Sequence, residues 1–162
     1  MKHLLIKYIH REDNHVDPNF TFLTYGDSDI RKVAQIKNTL QPGSFVFFHT
    51  SYNKKEYITA YFYLEKILIK EKHPAEINNL KTDSSVDDIV IIGSREHSKI
   101  LTYPLPFDKK VVDNLQSLNI DWGKVERGEQ TELKTISDAT RNHRELTEVE
   151  KEWLVKECLF RG

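Results

Sequence analysis

The sequence predicts an α+β protein built on a small curved mixed β-sheet or barrel, with flanking helices and a C-terminal helix. Three observations predict this fold class. Residues 44–50 and 57–69 carry the apolar runs of long central strands. The alternation of apolar residues changes phase near Glu65-Lys66, which indicates a bulge that curls the sheet. Only a few segments carry the apolar spacing of a helix.

Composition limits the class of protein further. The chain has 162 residues, of which 38% are hydrophobic and 30% charged, as expected for one soluble domain with a C-terminal appendage. Its single cysteine, Cys158, excludes an internal disulfide and a cysteine-cluster metal site. The net charge of -1 predicts no bulk attraction to phosphate. No apolar run is long enough for a bilayer, so we expect a cytoplasmic protein with no membrane partner.

The N-terminal half is predicted to alternate between regular and irregular segments. Residues 3–10 indicate a strand rather than a signal peptide, because charges interrupt their apolar positions. Residues 14–27 form neither a regular helix nor a regular strand, and they are predicted to be a polar loop with a turn at Asp17-Pro18. A helix is expected after Gly26, capped by Asp27 or Ser28, and ended by Pro42-Gly43.

The second half is predicted with less regular structure. Residues 71–87 form a connection with room for one helical turn, and residues 88–93 and 99–102 form a hairpin with a polar tip. The segment Tyr103-Pro104-Leu105-Pro106 is expected to break the second strand. Asp108 caps a second helix that ends at Asn119, and residues 124–144 are mostly irregular. A capping box at Thr147-Glu148-Val149-Glu150 opens the last helix.

Common catalytic signatures are missing from the sequence. It has no His-Glu-x-x-His metalloprotease spacing, no Walker loop, no Gly-x-Gly-x-x-Gly and no Gly-x-Ser-x-Gly. His10 and His15 could join Asp17 in a metal site, but no further ligand stands at a recognisable spacing, so no metal or cofactor is expected. These absences favour a binding module over an enzyme.

Three segments resemble the PUA-like superfamily, which includes the EVE, ASCH, YTH and SRA groups. They are the loop with Asp17-Pro18 and Thr24-Tyr25-Gly26-Asp27, the step Leu40-Gln41-Pro42-Gly43-Ser44 into the strand at Phe45, and Ile91-Ile92-Gly93-Ser94. The first segment looks most like the nucleotide modification associated domains. Ser44 stands where many relatives carry Asp, which argues against assuming the same function. The resemblance covers residues 1–122, and residues 123–162 are expected to be a polar connection plus a helix packed on the domain or a partner.

The resemblance implies a pocket at one end of the barrel that binds a modified, flipped nucleobase. Such a pocket needs an aromatic face and a few polar groups. The partner implied is therefore a modified nucleotide or nucleic acid, DNA or RNA. The candidate ligand-binding residues are His15, Asp17, Thr24, Tyr25, Asp27, His49, Ser51, Ser94, Arg95 and Trp122.

Seven of the ten candidates also have a structural interpretation. Tyr25 stacks on a base or packs over the start of the helix, and Asp27 accepts from a base amino group or caps that helix. His15 and Asp17 form a pair, reach a ligand, or bond locally within the loop. His49 is either a pocket residue or a half-buried strand histidine. Arg95 contacts a phosphate or is a solvated turn residue, and Trp122 closes an aromatic cage or packs on the core.

Two other functions stay open from the sequence. The chain could be a hydrolase acting on nucleotides or nucleic acid, with Asp17 or Asp27 and His15 or His49 as acid–base groups. Alternatively, the last helix, with Val149 and Trp153, could dimerise the chain or dock a partner.

Overall fold

The computed structural model describes residues 1–9 and 16–162. Its strands are β1 His3–Lys7, β2 Thr24–Asp27, β3 Phe45–Tyr52, β4 Lys55–Ile69, β5 Ile89–Gly93, β6 Lys99–Pro106 and β7 Arg144–Leu146. Its α-helices are α1 Ile30–Thr39, α2 Pro74–Asn78, α3 Lys109–Val112, α4 Gly123–Glu126, α5 Glu132–Ala139 and α6 Glu148–Cys158. Short 3₁₀ turns cover Asp83–Val86 and Gln116–Leu118.

All seven strands belong to one mixed sheet in the order β2-β5-β4-β3-β1-β7, with β6 also paired to β4. Strands β1 and β3 are parallel, and the other pairs are antiparallel. The predicted α+β class with a mixed sheet is therefore confirmed. Between the described parts of β2 and β7 there is no pairing, so the sheet is open and a closed barrel is not confirmed.

The central hairpin of β3 and β4 forms where the sequence predicts the core of the fold. Asn53 and Lys54 both have positive φ at the turn, a geometry that matches the twist of two-residue hairpins. The register of β4 against β5 shifts between Leu64 and Lys66, at the predicted change of phase. This bulge lets the long strand β4 pair with β3 along its first part and with β5 along its last part.

Both faces of the central strands are buried. Leu4, Ile6 and Phe48 point into one core, which is covered by Ile36 of α1 and by Leu40, the C-cap of that helix. Leu5 and Phe47 point into the opposite core. That second core also receives side chains from α3, α5 and α6. β3 is thus buried on both faces, as its near-continuous apolar sequence predicts.

The predicted start of α1 is wrong in one respect. Residues 24–27, predicted as loop, form strand β2 against β5, so neither Asp27 nor Ser28 is the cap. Asp29 caps α1 by accepting from the backbone N–H groups of Arg31 and Lys32. The sequence pattern did not reveal β2, because its Thr-Tyr-Gly-Asp contains only one large apolar residue.

The predicted hairpin over residues 88–102 is also wrong. β5 pairs with residues 64–69 of β4 and β6 with residues 57–61, so the two strands follow each other along β4. β6 also continues through Pro106 instead of breaking at Tyr103. The register of β6 against β4 shifts between Ile58 and Ala60, which makes this part of β6 a bulge. Bulges of this kind tolerate proline in a strand.

Residues 123–162 contain more regular structure than predicted. Helices α4 and α5 form in the stretch expected to be irregular, and β7 pairs with β1. The capping box at Thr147 and Glu150 is confirmed. α6 buries Leu154 and Cys158 in the core, while Val149 is exposed and Trp153 packs partly against the core. A dimer through α6 stays a prediction.

In the part of the chain that the structure describes, no helix combines the length and apolar character needed to cross a membrane.

Candidate functional site

An open cavity of about 320 Å³ lies where β1 ends beside β2. Its walls are the last residue of β1 and the two residues after it (residues 7–9), Asp17, the last part of β2 with Ser28, Lys32 of α1, and Asp87. We call this cavity the β2 cleft. It brings together three of the residues singled out from the sequence, Asp17, Tyr25 and Asp27. A ligand pocket typically has a volume of about 300–1,000 Å³, so the cleft is large enough for a small ligand.

Asp17 lies in the wall of the cleft as a half-buried carboxyl group. The Gly26 N–H donates to it at 3.2 Å and the Ser84 hydroxyl at 3.3 Å. Burial raises the pKa of Asp17 to about 8, and the nearby charges of Asp87 and Asp27 add to the effect of burial. At neutral pH the group is therefore a neutral acid that can both donate and accept a hydrogen bond.

Gly26 lets the chain pass close to this acid. A Cβ atom at this position would overlap the Asp87 carboxylate, so no larger residue fits without displacing Asp87. The Gly26 N–H also supplies the backbone donor that Asp17 uses. The residue between Tyr25 and Asp27 is thus small because two carboxyl groups approach the backbone there.

Tyr25 does not present its ring to the cleft as a stacking surface. Only 7% of the residue is exposed, and its ring packs against Phe48 and His143. Its hydroxyl donates to Asp27 Oδ2 at 2.8 Å. Burial, followed by the charge of Asp27, raises the pKa of Tyr25 well above its usual value, so the hydroxyl keeps its proton. Tyr25 therefore contributes a hydroxyl rather than the predicted stacking face.

Asp27 combines a local and a cleft-facing role. Its Oδ1 atom accepts from the Asp29 N–H at 2.9 Å, which holds the chain ahead of α1. Its Oδ2 atom accepts from Tyr25. Each carboxylate oxygen has two lone pairs, so both oxygens retain capacity for a ligand donor.

Several cleft residues were not predicted from the sequence. Tyr8 and Ile9 provide apolar surface at the end of β1, and Ile9 is 66% exposed. Lys32 contributes a cation from α1. His143 lies behind Tyr25, with its Nε2 atom 3.2 Å from the hydroxyl. Lys32 and His143 follow polar stretches with no motif, so only the three-dimensional structure brings Lys32 to the cleft and His143 against Tyr25.

Thr24, His49 and Ser51 lie outside the cleft. Thr24 donates to the Thr82 hydroxyl at 2.9 Å in a buried position. His49 is completely buried and bonds through Nδ1 to Glu56 at 2.7 Å, and the Ser51 hydroxyl donates to the same carboxylate at 2.6 Å. Because His49 does not line the cleft, it forms no acid–base pair there with Asp17 or Asp27.

Ser94, Arg95 and Trp122 are also distant in the fold. Asp27 pairs with the first residue of β5, whereas Ser94 follows its last residue, so Ser94 and Arg95 lie at the opposite end of this ladder. Arg95 is exposed in the turn. Trp122 donates to Asp113 at 3.1 Å and packs against the opposite core.

His15 lies outside the described residues. Within the described ranges, no group of three or more His, Cys, Asp or Glu residues is arranged to hold a metal ion.

A larger cavity of about 460 Å³ lies between the β3–β4 turn and α5. None of the residues predicted for the site lines it. We favour the β2 cleft because it combines a half-buried acid of raised pKa with a second carboxylate, a buried hydroxyl and a cation. Such a group of donors and acceptors can read the polar edge of a planar ligand.

Comparison of the chain with protein-family models, curated proteins and solved structures found no significant match in any of the three.

Proposed function

We propose that this chain is a binding module that recognises a modified nucleobase, either free or in a nucleic acid, in the β2 cleft. The observation that carries the proposal is the meeting of Asp17, Tyr25 and Asp27 in one cavity. Asp17 and Asp27 differ in character there, since Asp17 is a neutral acid at neutral pH and Asp27 accepts a hydrogen bond from the Tyr25 hydroxyl. The cleft can thus offer both a donor and acceptors to the edge of a base.

The neutral form of Asp17 supports recognition of a particular kind of edge. A carboxylic acid donates through its O–H and accepts through its carbonyl oxygen. It therefore pairs well with an edge that has one acceptor next to one donor. Nucleobases carry such neighbouring groups on their Watson–Crick edges, which flipped-base pockets read through hydrogen bonds.

The apolar surface of the cleft supports a planar ligand. Tyr8 is half-buried, with its ring edge-to-face against Phe20 and Phe48, and Ile9 beside it is largely exposed. In this proposal the base lies against these two side chains while its edge meets Asp17. Stacking of a base on an aromatic side chain contributes about 1–3 kcal/mol in other proteins, so the low net charge of the chain is no obstacle.

We also propose a PUA-like relationship for the fold. Three features support it: the order of strand, loop, helix and central strands, the bulge in β4 between Leu64 and Lys66, and the contact between Tyr25 and His143 that links the two edges of the open sheet.

Isothermal titration calorimetry can test the base-binding proposal. Modified and unmodified nucleosides, and short DNA and RNA strands containing the same bases, are titrated into the wild-type protein. We expect saturable binding of at least one modified base, and weakening by about tenfold in Asp17→Ala, which corresponds to the loss of one or two hydrogen bonds. Asp17→Asn should retain binding because its carboxamide also offers one donor and one acceptor.

The matched control is Glu96→Gln, which removes an exposed acidic group at the opposite end of the β2–β5 ladder. It should leave the affinity unchanged. Absence of saturable binding to every base, or equal affinities for wild type and Asp17→Ala, contradicts the proposal. Turnover of a titrated nucleotide, detected in the same samples by chromatography, would instead support the hydrolase alternative.

A further inference from the structure

The Tyr25 hydroxyl lies between two partners that belong to distant parts of the chain. The Tyr25 hydroxyl donates to Asp27 Oδ2 at 2.8 Å, and its oxygen lies 3.2 Å from His143 Nε2. Asp27 lines the β2 cleft, whereas His143 precedes β7 and is only 4% exposed. The segment around His143 therefore reaches the cleft through one tyrosine side chain.

The number of protons fixes the direction of both hydrogen bonds. A tyrosine hydroxyl has one proton, and in Tyr25 this proton forms the hydrogen bond to Asp27. The contact with His143 must then use a lone pair of the Tyr25 oxygen, so the imidazole donates from Nε2–H. In a neutral ring this leaves Nδ1 as a bare acceptor, and among the described residues Nδ1 has no hydrogen-bond partner.

The surroundings of His143 keep the ring neutral. Burial lowers its pKa to about 4, and the charge of Lys32 acts in the same direction. Asp27 and Asp29, which face the ring from β2 and the start of α1, act in the opposite direction, while His49 of β3 lowers the pKa further. The backbone next to the ring is also fixed, because Gln35 of α1 donates to the His143 carbonyl oxygen at 3.0 Å.

We infer that His143 is a positioning residue of the β2 cleft. Its Nε2–H donates a hydrogen bond to the Tyr25 oxygen, so that the tyrosine hydroxyl in turn donates its hydrogen bond to Asp27. This inference rests on the proposed function, because it assigns His143 a part in ligand recognition. With the other tautomer, Nε2 would be an acceptor and would compete with Asp27 for the tyrosine proton. The tautomer of one buried histidine thus decides whether the Tyr25 hydroxyl donates to Asp27. That hydrogen bond orients the Asp27 carboxylate as an acceptor for the ligand.

Two hydrogen bonds link His143 through Tyr25 to Asp27 in one chain. Hydrogen bonds in such a chain polarise one another, so the first donor strengthens the second bond. The residues just before β7, which the sequence assigned to a connection outside the domain, then belong to the wall that supports the cleft.

Long-range ¹H–¹⁵N correlation spectra of the imidazole nitrogens test the position of the proton directly. The full-length wild-type protein is recorded from pH 5.5 to 8, and His143→Gln identifies the signals. We expect a protonated Nε2 and an unprotonated Nδ1 across the whole range. A protonated Nδ1, or an imidazolium at neutral pH, overturns the inference whether or not any ligand binds.

Ligand titration tests the positioning role with two variants at the same site. His143→Gln keeps an N–H donor at the position of Nε2 and should bind within about twofold of wild type. His143→Leu removes the donor and should weaken binding by about three- to tenfold, the usual effect of losing one hydrogen bond. His97→Leu, in an exposed turn, is the matched control and should bind as wild type does.

The outcomes separate the two proposals. Equal affinities for wild type and His143→Leu overturn the positioning role but leave base recognition intact. If wild type binds none of the bases, the proposed function fails and the positioning role fails with it, whereas the spectra still decide the tautomer.

Discussion

The protonation of Asp17 in the cleft makes the free energy of unfolding depend on pH. Its pKa is about 8 in the folded protein, compared with 3.8 for an unperturbed group, because burial disfavours the charged form. Between these two values the folded state binds more protons at this site than the unfolded state does. The contribution of Asp17 to the free energy of unfolding is therefore full below pH 3.8 and falls as the pH rises to about 8.

We expect Asp17→Asn to gain stability relative to wild type as the pH rises, with the difference constant above pH 8. One pKa unit corresponds to about 1.4 kcal/mol, so a gain of at least that size is expected between pH 5 and 8. Urea denaturation at several pH values measures it. Asp121→Asn, at an exposed aspartate, is the matched control for the loss of an acidic group. A flat difference for Asp17→Asn would show that the group titrates normally.

His49 and Glu56 form a buried hydrogen-bonded pair between β3 and β4. Burial lowers the pKa of His49 more than Glu56 raises it, so the ring is neutral. Burial acts to raise the pKa of Glu56, but the hydrogen bonds from His49 and Ser51 outweigh it and the pKa is lowered. An ionised carboxylate is thus held by two neutral donors inside the protein.

Removing either donor should therefore destabilise the protein by different amounts. We expect His49→Ala to cost about 3 kcal/mol or more, because it removes the main donor to a buried charge and also opens a cavity. Ser51→Ala should cost about 1–2 kcal/mol, the value of one hydrogen bond to a charged group. Chemical denaturation at pH 7 gives both values, and a smaller loss for His49→Ala than for Ser51→Ala contradicts this account.

At the scale of elements, α6 depends on the capping box at its start. Thr147 accepts from the Glu150 N–H at 3.2 Å, and Glu150 accepts from the Thr147 N–H at 2.9 Å. We expect Thr147→Ala to lower the free energy of unfolding by about 1 kcal/mol, and Thr147→Ser to be close to neutral because serine keeps the hydroxyl. Thermal denaturation of the two variants checks this, and equal losses would show that the hydroxyl is not the cause.

The elements that could be predicted are those whose local signals are strong. The apolar runs in β3, β4 and β5, the phase change near Lys66 and the capping box all depend on neighbouring residues, and the structure contains each of them. β2 and β7 depend on partners far away in the chain. β7 has only three residues, one of them apolar, and it becomes a strand because β1 offers an unpaired edge.

The site was predictable to a similar extent. The polar loop predicted at residues 14–27 pointed to Asp17, Tyr25 and Asp27, which do line one cavity. His49 and Ser94 lie outside this cavity, because the sequence of a buried strand does not say which end or face of the sheet its polar residues reach. His143 carried no local signal, since its contact with Tyr25 spans 118 residues.

At the scale of the whole molecule, the boundary predicted after Trp122 can be tested by deletion. β7 forms one edge of the sheet by pairing with β1. Ile136, Leu154 and Cys158 are each at most 1% exposed, in the core beneath Leu5 and Phe47. Without residues 123–162, that face of the sheet loses α5 and α6 and its apolar side chains meet water.

We therefore expect the fragment of residues 1–122 to lose cooperative unfolding, because each large apolar side chain returned to water costs about 1.5–3 kcal/mol and typical domains have only about 5–15 kcal/mol of stability. Thermal denaturation followed by near-UV circular dichroism measures this. A fragment ending at Cys158 is the control: it keeps α6 and loses only the exposed Leu159, Phe160 and the residues after them, so it should unfold cooperatively. Cooperative unfolding of residues 1–122 would show instead that the first part of the chain is a complete domain and that the remainder only docks on it.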